Sequence, residues 1–169
     1  GKSPAARKIA TILKDERLRV AVVRHPMPYG DLSRQVAQRF AAIADLEKGD
    51  CTIEEMEEYE PHIVSGNIIY AGVDYEAILR EAEKEADVIV WDGGNNDIPF
   101  YKSTTKTTRI VVVDPLRPGH ELAYHPGETN IHMADVIVIN KIDSATLEDI
   151  NTVTENVRRI NPNAIIIEA

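Results

Sequence analysis

The chain has 169 residues, of which 43% are apolar, so it is long enough for one globular domain with a sizeable core. Its formal net charge of −9 argues against a general nucleic-acid binder, and its single cysteine excludes an internal disulfide framework. No apolar run reaches the length of a membrane span and no signal peptide is recognisable. We therefore predict a cytoplasmic protein that binds neither nucleic acid nor membrane; a homo-oligomer is compatible with the sequence.

The first three residues, Gly1, Lys2 and Ser3, match the end of the phosphate-binding motif G-x-x-x-x-G-K-[ST]. A helical pattern follows at once, with one apolar face formed by Ala6, Ile9, Ala10 and Leu13. In such a loop Lys2 approaches the β- and γ-phosphates and Ser3 the Mg²⁺ ion. The strand that precedes this motif is not in the sequence, so we expect a piece of a longer protein. The alternative is a tag remnant or a frayed terminus.

A buried strand is predicted at Leu18–Arg24, followed by an irregular loop at 25–31 that contains two prolines and a glycine. Arg24 and His25 lie at the carboxyl end of this strand and are predicted anion ligands, because a guanidinium forks onto phosphate oxygens. Asp31 in the loop has a purely structural alternative, as the N-cap of a helix. The face of that helix would be Val36, Phe40 and Ile43.

The segment Thr52–Glu55 fits a capping box that opens a short acidic helix, and we expect Pro61 to end it. Its glutamates form either a solvated face or a switch segment, and both interpretations stay open. Asn67–Ala71 reads as a short strand. Asp74 then caps a helix whose apolar face is Tyr75, Ile78, Leu79, Ala82 and Ala86.

A strong buried strand at Asp87–Asp92 ends in Asp92-Gly93-Gly94. An apolar strand that closes on an aspartate is the Walker B arrangement, in which the carboxylate reaches the Mg²⁺ shell. Gly93 and Gly94 would let backbone amides approach a γ-phosphate closely. The alternative is an ordinary turn, since Asp, Gly and Asn are common turn residues.

The polar loop 102–109 leads into a further strand at Arg109–Asp114 and a loop at Pro115–Glu121. This loop carries Arg117 and His120, again after the carboxyl end of a strand. A lone loop histidine is usually just solvated. Arginine and histidine together in two such loops of an acidic protein predict a pocket for a polyanion.

A buried strand in the stretch Asp135–Asp143 ends in Asn140-Lys141-Ile142-Asp143. In GTP-binding P-loop proteins, the aspartate of Asn-Lys-x-Asp accepts hydrogen bonds from guanine, the lysine stem lies over the base and the asparagine ties neighbouring loops together. Ser144 or Thr146 can cap the next helix, and Ala164–Ile167 supplies the last strand. The apolar face of that helix is Leu147, Ile150, Val153, Val157 and Ile160.

Alternating strands and helices predict an α/β fold with a mostly parallel sheet flanked by helices on both faces. Together with the two motifs, this indicates a P-loop NTPase-like three-layer sandwich. We expect one domain over residues 1–169, with the first strand and most of the phosphate loop missing from this chain. Ligands in such folds bind beyond the carboxyl ends of the strands.

Several long stretches resemble cyclic 2,3-diphosphoglycerate synthetases and their predicted-GTPase relatives, and together they cover nearly the whole chain. These stretches are residues 22–32, 51–63, 71–76, 91–97, 114–121 and 134–143. The named family member uses ATP to close 2,3-diphosphoglycerate into a cyclic phosphoanhydride, releasing ADP and phosphate. The resemblance implies that Lys2, Ser3 and Asp92 hold the Mg²⁺–nucleotide. It also implies that a second polyanion, 2,3-diphosphoglycerate or similar, meets Arg24, His25, Arg117 and His120.

The sequence departs from the family pattern at two places. Asn140–Asp143 favours guanine although the synthetase uses ATP, and Ser103–Thr108 is more polar than the connection expected there. The leading hypothesis is a nucleotide-dependent ligase that uses Mg²⁺ with ATP or GTP. The alternative is a regulatory or chaperone-like GTPase in which Asn140–Asp143 reads guanine and the acidic segment after Cys51 is the switch. A third hypothesis is an inactive binding module.

Overall fold

The computed structural model describes residues 1–25, 31–98 and 107–169. The chain divides into two compact units. The N-terminal unit is Ser3–Gly93, and the C-terminal unit is Gly94–Ala169 together with Gly1–Lys2. The prediction of one domain over 1–169 stays a prediction.

A four-stranded sheet organises the N-terminal unit, in the order β2-β3-β1-β4. Its strands are β1 (Val20–Arg24), β2 (Gln38–Phe40), β3 (Ile68–Ala71) and β4 (Val88–Trp91). The central strand β1 runs parallel to both β3 and β4, whereas β2 is antiparallel to β3. All five residues of β1 are buried, as the continuous apolar sequence predicts for a central parallel strand.

Helices cover both faces of this sheet. They are α1 (Lys2–Asp15), α2 (Ile43–Lys48), α3 (Ile53–Val64) and α4 (Tyr75–Ala82). Successive side chains of β1 point to opposite faces, so Val22 packs with Tyr59 and Ile63 of α3. Val23 packs instead with Ile78 of α4. The strand alternation thus fixes which helix lies on which face.

The C-terminal unit has a three-stranded parallel sheet in the order β5-β6-β7. Its strands are β5 (Ile110–Val113), β6 (Val136–Ile139) and β7 (Ile165–Glu168). Its helices are α5 (His120–Ala123), α6 (Gly127–Met133) and α7 (Leu147–Ile160). The core joins Ile137 and Ile139 of β6 to Val153 and Val157 of α7.

The α/β class, the dominance of parallel strands and the flanking helices are confirmed. Helix α1 begins directly after Gly1, and Thr52, Asp74 and Thr146 cap their helices as predicted. Among the helices in the described ranges, none combines the length and the apolarity that a membrane crossing requires. The predicted loops at 25–31 and 102–109 lie largely outside the described residues.

The predicted helix with Val36, Phe40 and Ile43 on one face is wrong. Gln38–Phe40 forms strand β2, and α2 begins only at Ile43 with Ala42 as its N-cap. Antiparallel pairing of Gln38–Phe40 with β3 overrides the helical spacing. Just beyond the paired strands, the amides of Val73 and Asp74 donate to the carbonyls of Gln35 and Val36. At Gly72 the backbones approach so closely that a Cβ atom would lie 2.3 Å from the Val36 carbonyl oxygen.

Asp31 caps no helix and instead accepts hydrogen bonds from the amide and hydroxyl of Ser33, which is a local turn. Pro61 does not end α3, which continues to Val64. In this last turn the hydroxyl and the amide of Ser65 both donate to the Pro61 carbonyl, so the turn stays closed. Helices α5 and α6 were not predicted.

Candidate functional site

The carboxyl ends of β1 and β4 bring two predicted site residues together. Val23 pairs with Trp91, and the amide of Asp92 donates to the Val23 carbonyl at 3.0 Å. Arg24 and Asp92 therefore leave neighbouring strands side by side, and Arg24 Nη1 donates to Asp92 Oδ2 at 2.7 Å. Both residues are buried, with exposed fractions of 8% for Arg24 and 1% for Asp92.

Helix α3 adds two side chains to this pair. Glu58 and His62 are four residues apart and so share one helix face. His62 Nε2 lies 3.1 Å from Asp92 Oδ2, and Glu58 Oε2 forms an ion pair with Arg24 Nη2. His62 is fully buried. Arg24 thus lies between two carboxylates and Asp92 between two donors.

Asn67 completes the group, which we call the Asp92 network: Arg24, Glu58, His62, Asn67 and Asp92. Asn67 Nδ2 lies 3.3 Å from His62 Nδ1 and donates to it. Because the Nδ2 group of Asn67 can only donate, this contact assigns the acceptor role to Nδ1 and the donor role toward Asp92 to Nε2. The ring is held at both nitrogens, and Asn67 behind it is almost completely buried.

Three members of this network, Glu58, His62 and Asn67, were not predicted as site residues. The sequence pattern that could have identified them is weak. Glu58 and His62 have helical spacing, but in an acidic helix that spacing more often marks a solvated face. Only the fold shows that this face of α3 meets the carboxyl end of β4.

The Asp92 network has consequences for the roles predicted from the sequence. Both Nη atoms of Arg24 contact carboxylates. Among the described residues its buried Nε atom has no hydrogen-bond partner, and the role of Arg24 as an anion ligand stays a prediction. Asp92 is a carboxylate whose charge is compensated and whose orientation is set by donors from two elements. Oxygen ligands of this kind suit the hard Mg²⁺ ion, and outer partners that fix ligand orientation are typical of metal sites.

Burial disfavours ionisation of two side chains, Tyr59 in helix α3 and Cys51 just before it. Burial, with the nearby Glu55 second, raises the pKa of Tyr59 far above the ordinary range. Burial also raises the pKa of Cys51 to about 11, again with help from Glu55 and then Asp50. Cys51 is therefore a thiol at neutral pH and a poor nucleophile.

A second predicted site lies at the carboxyl ends of β5 and β6 in the C-terminal unit. Val113 pairs with Ile139, and the amide of Asn140 donates to the Val113 carbonyl. Lys141 has a left-handed backbone with φ of 69° and places Nζ 2.6 Å from Asp114 Oδ2. This contact lowers the pKa of Asp114 below its ordinary value.

The last part of the Asn140–Asp143 motif forms a short 3₁₀ turn at Ile142–Ser144. The amide of Ile142 donates to the Ala169 carbonyl, which ties the motif to the end of β7. Asp143 is exposed, and its carboxylate accepts a hydrogen bond from the Ser144 hydroxyl at 3.2 Å. An exposed carboxylate here is compatible with base reading, which stays a prediction.

Arg117 and His120 line one cleft of about 230 Å³ in the C-terminal unit, which we call the Arg117 cleft. Its polar lining also includes Asp114, Glu121 and Asn130. Glu121 accepts hydrogen bonds from the amide of Gly119 and from Asn156 Nδ2. The cleft therefore carries charges of both signs.

The remaining predicted residues are placed as follows. Lys2 and Ser3 begin α1, next to the exposed Gly1. The ring centroids of His25 and Tyr75 lie 5.7 Å apart. Gly93 ends the N-terminal unit, and the amide of Gly94 donates to Asp97 Oδ2 at 2.8 Å. In the described part of the chain, no three His, Cys, Asp or Glu side chains cluster as a metal site.

Comparisons with known proteins agree with this fold. A family model described as the P-loop domain of cyclic 2,3-diphosphoglycerate synthetase matches residues 62–169, more than half of the chain. The chain belongs to this family. The resemblance seen in the sequence is thereby confirmed.

Two further proteins are similar to the chain. A protein of Thermococcus kodakarensis named arginine synthetase ArcE is 62% identical over all 169 residues, and the chain spans 37% of its length. The crystal structure of hydrogenase maturation factor HypB from Archaeoglobus fulgidus matches the whole chain and 75% of its own length, with a TM-score of 0.60 and 19% identity. This second likeness shows the fold alone and, with the family match, confirms the P-loop NTPase-like architecture.

Proposed function

We propose that the chain is the nucleotide-binding P-loop part of a nucleotide-dependent synthetase. The observation that carries this proposal is the Asp92 network, which fixes a carboxylate at the carboxyl end of β4, where a P-loop protein needs its Mg²⁺-linked aspartate. The family match and the synthetase name of the relative at 62% identity support the same class of enzyme.

The roles of the residues follow from phosphoryl-transfer chemistry. Lys2 would contact the β- and γ-phosphates, and Ser3 and Asp92 would hold the cation. The backbone at Gly93 would face the γ-phosphate, and the predicted contact from Gly94 would require its amide to leave Asp97 Oδ2. When bound, Mg²⁺ neutralises charge that develops on the transferred group. Arg24 keeps the Asp92 carboxylate compensated and oriented. Groups that are held in place before the reaction stabilise developing charge without reorganising during it.

The substrate that fits best is an amino acid whose oxygen must be activated. The relative's name indicates arginine as the product. The simplest balanced reaction starts from the ureido analogue, citrulline: its ureido oxygen attacks the γ-phosphorus and the nucleoside diphosphate leaves. Ammonia then attacks the ureido carbon, and phosphate leaves with the former ureido oxygen. The mixed charges of the Arg117 cleft suit a zwitterion better than a pure polyanion.

A second reaction has the same first step. In the cyclisation named by the family description, the γ-phosphoryl group would pass to one phosphate of 2,3-diphosphoglycerate and the nucleoside diphosphate would leave. An oxygen of the neighbouring phosphate would then attack the phosphorus of that substrate phosphate, and inorganic phosphate would leave. Arg24, His25, Arg117 and His120 would then be the cationic clamps that bring like charges together. A regulatory GTPase is the other alternative, because Asn140–Asp143 presents an exposed aspartate after β6.

The test uses the full-length protein with Mg²⁺ and either ATP or GTP. Citrulline plus ammonium is compared with 2,3-diphosphoglycerate, and both nucleoside diphosphate and product are quantified by chromatography. We expect arginine to form in step with ADP, and Asp92→Asn to abolish it. Cyclic product would select the second reaction. Slow GTP hydrolysis that no substrate changes, and that Asp143→Ala abolishes, would select the GTPase.

A further inference from the structure

A buried histidine that the proposed reaction does not use touches the predicted metal ligand. His62 is fully buried on α3, between Asn67 on one side and Asp92 on the other. Each ring nitrogen has one protein partner, so the imidazole neither faces solvent nor points to an open position. It is a link in a chain of side chains from Asn67 to Asp92.

The geometry of this chain fixes the carboxylate. Arg24 Nη1 reaches Asp92 Oδ2 at 2.7 Å from β1, and His62 Nε2 reaches the same oxygen at 3.1 Å from α3. Two donors from two elements hold this oxygen, Oδ2, in place. Asn67 fixes the tautomer that makes the second donor possible.

Burying this polar chain has a cost. An apolar side chain at position 62 would fill the same space without desolvating an imidazole and an amide. The neighbouring inner residues of α3, Tyr59 and Ile63, already supply apolar packing to the sheet. The polar link therefore has a use that packing alone does not explain.

We propose that His62 is a positioning residue which, backed by Asn67, holds the Asp92 carboxylate in the orientation that receives the nucleotide-bound cation. This inference rests on the proposed function, in which Asp92 contributes to the Mg²⁺ site. It assigns a role to two buried residues that the proposed reaction does not itself use. Outer partners of this kind typically change metal affinity or activity by about 10- to 100-fold when they are removed.

The test compares three variants of the full-length protein. In His62→Gln the amide nitrogen reaches the place of Nε2 and keeps a donor for Asp92, whereas in His62→Asn the amide nitrogen corresponds to Nδ1 and the donor is lost. His132→Gln is the control, because His132 is exposed on α6 with 59% of its side chain accessible. Mn²⁺ binding in the presence of a non-hydrolysable nucleotide is measured by electron paramagnetic resonance. Metal-free nucleotide binding and thermal unfolding are measured alongside.

We expect His62→Asn to weaken Mn²⁺ binding by about 10- to 100-fold. His62→Gln should restore most of that affinity, and His132→Gln should match the wild type. Metal-free nucleotide binding should be the same in all four proteins. A purely structural role predicts instead that Mn²⁺ affinity is unchanged, or that it falls equally in both His62 variants in step with their melting temperatures, and either result overturns the inference.

The two proposals fail separately. If Mn²⁺ binding depends on the His62 donor but no synthetase product forms, the inference stands and the proposed reaction fails. If product forms but Mn²⁺ affinity does not depend on the His62 donor, the proposed reaction stands and the inference about His62 fails. Absence of Mn²⁺ binding in the wild type, or its full retention in Asp92→Asn, overturns the inference.

Discussion

The same two strands carry an arginine–aspartate pair at each end, and the two pairs differ mainly in burial. At the amino ends of β1 and β4, Arg19 binds Asp87 through two contacts, Nη2 to Oδ1 at 2.5 Å and Nε to Oδ2 at 3.0 Å. At the carboxyl ends, Arg24 binds Asp92 through Nη1 at 2.7 Å. The side chains of the first pair are 64% and 39% exposed, and those of the second are 9% and 0% exposed.

Judged by hydrogen-bond geometry alone, the Arg19–Asp87 pair would be expected to contribute more to stability than the Arg24–Asp92 pair, which is the wrong order. The Arg19–Asp87 pair is bidentate, and the Arg19 amide adds a third contact. Water, however, solvates either partner well when the other is removed, so an exposed pair contributes little. In the buried pair the charge of Asp92 depends on Arg24, because no solvent replaces the guanidinium. Burial, and not the number of contacts, makes Arg24 and Asp92 suitable for holding a functional group in place.

The largest expected effect comes from breaking the buried pair. Arg24→Ala should lower the free energy of unfolding by about 3–5 kcal/mol, because it leaves the Asp92 carboxylate buried without its cation. Arg19→Ala is the matched control at the other end of the same strands and should cost clearly less. Urea unfolding of the full-length protein, followed by hydrogen exchange in peptides from β1 and β4, measures both.

The double variant Arg24→Met/Asp92→Leu separates charge from packing. It should be less destabilised than Arg24→Ala, since the buried Asp92 carboxylate is removed with its cation and the remaining carboxylate, Glu58, is partly exposed. If Arg24→Ala and Arg19→Ala lowered the free energy of unfolding equally, burial would not distinguish the pairs at the two ends of the strands. It would then follow that the buried pair is as well solvated as the exposed one.

The sequence predicted the elements better than their connections. The strands β1 and β4 to β6 are continuous apolar runs, whose composition alone indicates strands. The predicted burial holds fully for β1, whereas β4 is half-buried along its length and β5 is buried only at Val113. The strand β2 was missed because its three residues depend on backbone pairing with β3, which no local periodicity records. Helices α5 and α6 were missed because they are four and seven residues long, too short for a periodic signal.

Some residues of the candidate site could likewise be predicted from the sequence, and others could not. Arg24 and Asp92 were predicted because each ends an apolar strand, and the parallel register places strand ends side by side. His62 and Asn67 could not be predicted, since their use depends on which face of α3 packs on the sheet. The pairing of Lys141 with Asp114 also depends on the register between β5 and β6. The sequence motifs therefore identified functional candidates at the ends of strands. Their hydrogen-bond and ion-pair partners became apparent only from the packing of the folded chain.

A smaller effect is expected in the C-terminal unit. Asp114→Asn removes the partner of Lys141 in a pair whose side chains are 42% and 36% exposed. The free energy of unfolding should change by less than about 1 kcal/mol, and the wild-type contribution should fall as salt is added. Urea unfolding at low and high salt measures this. A loss comparable to that of Arg24→Ala would show that exposure does not decide the contribution of these pairs.

The smallest effect is the pH response of the exposed pair in the N-terminal unit. Hydrogen bonds from the Arg19 side chain and amide lower the pKa of Asp87 from its ordinary value of 3.8 to about 2. A carboxyl group whose pKa is depressed in the folded state contributes stability that is present above pH 3.8 and is lost as the pH falls through about 2. NMR titration of the Asp87 carboxyl carbon should therefore give a pKa near 2 in the wild type and a value that moves toward 3.8 in Arg19→Gln. Because solvent screens this pair, unfolding curves between pH 5 and pH 2 should separate the two proteins only slightly, even though the titration separates them clearly. A large separation in stability would mean that the amino-end pair is shielded from water, and the contrast with Arg24 and Asp92 would then fail.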